Sequence, residues 1–135
     1  MNMLMGRASA IQLGDLLACS YAPLAEALAR IVPREIAHAR LGEAGLRRAI
    51  EHDGARLAAA ASIAYWYPRV AATFGRSDSE RFDLYRKYGL RRHTNAELLQ
   101  RWRRIAARAR EDDARLPPRA PASVRWLLAA LHQPP

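Results

Sequence analysis

Cysteine is nearly absent from this 135-residue chain: Cys19 stands alone, so no internal disulfide can form, and a cytoplasmic location is the default expectation. Lysine is as scarce. Lys87 is the only one, so the net charge of +9 is carried by arginine. No run approaches the ~18 uncharged apolar residues of a membrane span. The opening Met1-Asn2-Met3-Leu4-Met5 lacks the basic start, apolar stretch and small-residue cleavage site of a secretory signal. No segment sustains period-2 alternation, which argues against a sheet. A glycine-rich phosphate loop, a second cysteine for a zinc site and a nucleophile beside an acid–base partner are all missing. Nucleic-acid binding lacks a recognised motif or an aromatic stacking platform.

What is present is helix punctuation. Residues 4–19 predict a first helix, broken at Ser20-Tyr21-Ala22-Pro23. Pro23 suits the first turn of a second helix reaching about His52, because its missing N–H is not needed there. An alanine-rich third helix spans about 55–73 and ends at Gly75. Ser77-Asp78-Ser79-Glu80 and Thr94-Asn95-Ala96-Glu97 each have capping-box spacing. The first predicts a short helix ending near Gly89, the second a helix lasting to about Asp113. Pro117, Pro118 and Pro121 then predict a linker before a final helix over 122–132. The reading is all-α, with residues 1–116 as the body and 117–135 as linker and terminal helix.

The second helix draws the chemistry. Its apolar spacing Leu24, Leu28, Ile31 continues into Glu35, His38 and Gly42, setting a carboxylate and an imidazole in line with the core. Residues at i and i+3 direct their side chains to one spot, and burying either unpaired is costly. Two readings fit: a shared metal ion, or a buried Glu–His hydrogen-bonded pair. Glu-x-x-His occurs on two helices of carboxylate-bridged di-iron bundles. With seven glutamates and four histidines available, that spacing alone does not decide. Pro33 predicts a kink just before Glu35.

The surrounding text narrows the choice. Ser20-Tyr21-Ala22-Pro23-Leu24-Ala25 and Glu35-Ile36-Ala37-His38-Ala39-Arg40-Leu41-Gly42-Glu43 resemble the second half of the catalytic subunit of the phenylacetyl-CoA ring-1,2-epoxidase. Further matches are Tyr65-Trp66-Tyr67-Pro68-Arg69, Phe74-Gly75-Arg76-Ser77-Asp78-Ser79-Glu80-Arg81, Arg92-His93-Thr94-Asn95-Ala96-Glu97-Leu98 and Leu116-Pro117-Pro118. The resemblance implies a ferritin-like fold, a di-iron centre and oxygen insertion into the ring of an aryl-CoA thioester. It implies Glu35 and His38 as iron ligands.

Two departures accompany it. The resemblance covers only the half of the bundle that carries one ligand pair, so the helices holding the other three ligands are lacking. Folding the first two helices about residues 20 and 21 sets Gly6 opposite Glu35, where the family has a carboxylate just before an arginine (here Arg7). Asp15 then falls nine residues from Glu35 along the helix, over ~13 Å away. The expectation is a truncated relative of a di-iron aryl-CoA monooxygenase, linked to phenylacetate degradation, with an incomplete iron site. A hairpin that cannot bury its own stripe predicts a homodimer completing a four-helix bundle. The alternative is a non-catalytic helical dimer acting as an interaction or accessory protein, perhaps beside a related oxygenase subunit.

Arg101, Arg104 and Arg108 share one flank of the fifth helix. They suit the phosphates of an acyl-CoA ligand, a partner subunit, or plain solvation. Tyr65 and Trp66 are candidates for an aryl pocket, with core packing the competing role of Trp66. His93, preceding the N-cap Thr94, reads as a surface residue, and His52 and His132 need no special role.

Overall fold

Helices make up the structure, a computed structural model that describes residues 2–51 and 53–114, with side chains at all of these except 53, 54, 56 and 108–114. They are α1 (Asn2–Leu16), α2 (Ala22–Glu51), α3 (Asp53–Ala72), α4 (Phe82–Lys87) and α5 (Asn95–Ala114). No strand occurs among the described residues, and no helix there is long and apolar enough to cross a membrane. The linker and terminal helix expected over 117–135, His52, His132 and the side chain of Arg108 lie outside the described residues.

The punctuation acts largely as expected. Gly75 and Gly89 close α3 and α4 with φ of +78° and +67°, a conformation that costs glycine little. At α5 the capping box forms in full: the Glu97 N–H donates to the Thr94 hydroxyl (3.2 Å), and the Thr94 N–H donates to the Glu97 carboxylate (2.7 Å). The expected box at 77–80 does not form. Asp78 is held by Arg76 instead, at 2.9 Å, and α4 starts later, after Arg81, with no side-chain cap. Pro33 faces solvent inside an unbroken α2.

The core lies between α1, the second half of α3 and α5. Leu4 and Ala8 of α1 meet Val70 and Phe74 of α3 and Leu98, Trp102 and Ala106 of α5. Trp102 is fully buried. Its indole N–H donates to the Leu4 carbonyl at 3.1 Å, and Tyr67 and Phe74 pack against its ring. α1 turns its other face to α2, so it is covered on two sides within one chain. The α1 stripe thus needs no second copy to bury it, contrary to the reasoning from an isolated hairpin.

The α1–α2 register differs from the symmetric fold expected of the sequence. Gly6 lies against Ala39, and a Cβ at Gly42 would stand 2.5 Å from the Met3 nitrogen. This pairing, 6 with 39 and 3 with 42, sets Glu35 opposite Ala10 rather than Gly6. The cause is the turn. α1 stops at Leu16, and residues 17–21 run on beyond its end before α2 turns back. The start of α2 therefore overhangs α1 by about seven residues, or about 10 Å. The tip is tied down where the Ser20 N–H donates to the Gly89 carbonyl (2.8 Å) and its hydroxyl donates to that of Tyr88.

Candidate functional site

Glu35 and His38 share one side of α2, as their spacing requires, with Oε1 and Nδ1 3.5 Å apart. They do not lie in the core of the chain. The α2 residues buried there are Leu28, Val32 and Ala39, a row rotated by roughly half a residue step from the Leu24–Leu28–Ile31 stripe at ~100° per residue. Leu24 and Ile31 are exposed, the Glu35 side chain is 28% exposed and that of His38 is 64% exposed. The pair thus sits on the flank of α2 among apolar residues that the described residues leave exposed.

These residues do not fit a di-iron centre on their own. Two donors are too few for two ions, and no group of three or more His, Cys, Asp or Glu side chains gathers among the described residues. The position that resemblance gives to an α1 carboxylate is closed: a Cβ on Gly6 would stand 3.0 Å from the Ala39 backbone. Arg7 is committed to Glu43, at 2.6 Å. In the observed register Asp15 is only five residues from the level of Glu35, about 7.5 Å along the axis, closer than the sequence suggested. It is nevertheless engaged elsewhere.

Asp15 builds the second constellation. Its side chain is 1% exposed, and one carboxylate oxygen lies 2.6 Å from His93 Nδ1 while the other accepts from Arg91 Nε at 3.5 Å. A guanidinium nitrogen of Arg101 lies 2.7 Å from His93 Nε2. A carboxylate only accepts and a guanidinium only donates, so the imidazole that suits both carries its proton on Nδ1 and is neutral. Arg91 is steadied by Asn95 at 2.9 Å, and Asn95 in turn donates to the Arg76 carbonyl at 2.8 Å. The capping box fixes the first turn of α5, and with it the approach of His93 to Arg101. The Glu97 carboxyl is held below its usual range, chiefly by the Thr94 N–H and next by the Thr94 hydroxyl.

This chain of contacts lines a cleft of about 470 Å³ between α1 and α5, walled by Ile11 and Ile105 and by the arginines 92, 101 and 104. Arg101 and Arg104, grouped by sequence as a phosphate-facing flank, do come together here. Asp15 and His93 were missed as a pair, being 78 positions apart. One signal was available: Asp15 continues the α1 stripe Leu4, Ala8, Ile11, and an acid on a buried stripe needs a partner. Tyr65 and Trp66 meet edge to face, their ring centroids 5.2 Å apart. Tyr65 is exposed with Arg69 over its ring at 3.6 Å, Trp66 packs on the core, and Tyr67 is the residue that reaches Trp102.

Fold and site together define an all-helical protein carrying one Glu-x-x-His pair and a separate arginine-lined cleft. Residues 1–124 match the family described as phenylacetic acid catabolic protein, and the chain belongs to that family. No curated protein and no solved structure gives a significant match.

Proposed function

We propose that the chain serves phenylacetate breakdown as a helical, partner-forming relative of the di-iron aryl-CoA epoxidase subunit, holding a half-site rather than an oxygenation centre. The observation that carries this reading is the placement of Glu35 and His38, 3.5 Å apart, on the α2 flank that also exposes Leu24 and Ile31. Ile31 lies seven residues from each of Leu24 and His38, so the three fall nearly in line on one flank. An isologous contact along that line covers the apolar side chains and brings two Glu35–His38 pairs toward one axis. Four such donors suit a single ion bound by carboxylate and imidazole. The family supplies the process; a role for this chain in ring oxygenation would require ligands from a related subunit.

Sedimentation of the purified chain at micromolar concentration, with metal analysis after loading with ferrous iron, tests the reading. The expected result is a dimer holding at most one iron per two chains, and Ile31→Glu converts it to a monomer with no iron. A wild-type monomer overturns the reading, as does a stoichiometry of two irons per chain.

A further inference from the structure

The cleft between α1 and α5 has no part in that reading, which uses the flank of α2. Its charges are unbalanced. Arg92, Arg101 and Arg104 line it, and among the described residues Asp15 is the only acid that does. Asp15 is already spent on His93 and Arg91. Arg92 and Arg104 have no hydrogen-bonding or ionic partner among the described residues, and Arg101 rests against an imidazole nitrogen, a neutral acceptor.

Three guanidinium groups around one concavity match a tetrahedral oxyanion, whose several acceptor oxygens suit their forked donors. We propose that this cleft binds a phosphate-class anion and takes up a proton at His93 as it does so. In the anion-free arrangement the His93 Nε2 lone pair accepts from Arg101. Once an anion enters, Arg101 turns to it and Nε2 loses its donor. A proton on Nε2 then gives the imidazole a second N–H, which donates to the anion, while Nδ1–H stays on Asp15. The buried Asp15 carboxyl group faces the imidazole and acts as a positioning residue. The charged groups around His93 are Asp15 from α1, Arg91 and Arg92 from the segment before α5, and Glu97, Arg101 and Arg104 from α5. None from α2, α3 or α4 lines the cleft among the described residues. Ile11 and Ile105 give the same cleft an apolar wall, which an ester of phosphate would use and the free ion would not.

Sulfate is the primary probe, because its charge is constant over the range in which an imidazole titrates. Its affinity is measured by calorimetry on the full chain at fixed ionic strength, at about pH 6 and about pH 8. The expected result is binding about tenfold tighter at the lower pH, with net proton uptake, as befits one added charge-assisted hydrogen bond. Arg104→Gln, at an exposed position without a partner among the described residues, weakens binding about tenfold at both pH values. His93→Gln abolishes the pH dependence. Arg86→Gln removes the same charge from α4 and leaves the affinity unchanged. The proposal is overturned if sulfate affinity is flat with pH, or if Arg86→Gln weakens binding as much as Arg104→Gln. Phenyl phosphate and inorganic phosphate separate the two sources of the anion. Tighter binding of the ester supports a phosphomonoester ligand, and equal affinity supports the free ion.

Discussion

At the scale of single residues the start of α5 is held by reciprocal side-chain and backbone bonds. The reciprocal Thr94–Glu97 bonds satisfy two N–H groups that the helix itself leaves open. Thr94→Ala is expected to cost about 1 kcal/mol in thermal or denaturant unfolding. The Glu97 carboxyl titrates below its usual range because the Thr94 N–H and hydroxyl favour the ionised form. A carboxyl depressed on folding contributes stability above its unfolded value, and that contribution is lost as pH falls through the folded one. Melting curves of wild type and Glu97→Gln should therefore differ near neutrality and converge on acidification below pH 4.5, the usual glutamate value. The cap was legible because its spacing is local. The false signal at Ser77–Glu80 has the same spacing, but Arg76 captures Asp78 in a contact that the spacing rule does not consider.

At the scale of elements, helix positions were recoverable from proline, glycine and capping residues, whereas the rotation of α2 was not. Leu24, Leu28 and Ile31 fit one apolar stripe, yet Leu28, Val32 and Ala39 are the buried row. The residues that fix this phase are Gly6 and Gly42 on facing helices, whose missing side chains allow the backbones to approach. Glycine at a helical position gives no apolar signal, so the contact is silent in a hydrophobic pattern. Gly42 and Gly45 separate packing from propensity. A methyl at 42 meets the Met3 backbone at 2.5 Å, while one at 45 meets nothing within 4 Å. Gly42→Ala should destabilise the protein by about 1–3 kcal/mol through overpacking. Gly45→Ala should stabilise it by up to about 1 kcal/mol through helix propensity. Chemical denaturation of both variants reads the two signs.

At the scale of the whole molecule, the all-α class and the family could be read from sequence, as could the closeness of Glu35 and His38 on α2. The Asp15–His93–Arg101 chain was signalled only by the acid on the α1 stripe, because it joins positions far apart in sequence through a packing of α1 on α5 that local pattern does not encode. The same packing centres on Trp102, which closes a core within one chain and removes the original reason for expecting a dimer. The case for association rests instead on the flank of α2 that the described residues leave exposed.

The tie between the hairpin tip and the end of α4 has a kinetic corollary. The bond from the Ser20 amide to the Gly89 carbonyl spans 69 positions of sequence, so it cannot persist while α4 is detached. The hairpin can zip locally, but its tip is locked only once α4 has docked. In native-state hydrogen exchange the Ser20 amide, although it sits in an exposed turn, should exchange as slowly as the Trp102 region and respond to denaturant with the slope of global opening. Rapid exchange at Ser20, at the rate of a fraying end, would mean that the tip opens independently of the rest.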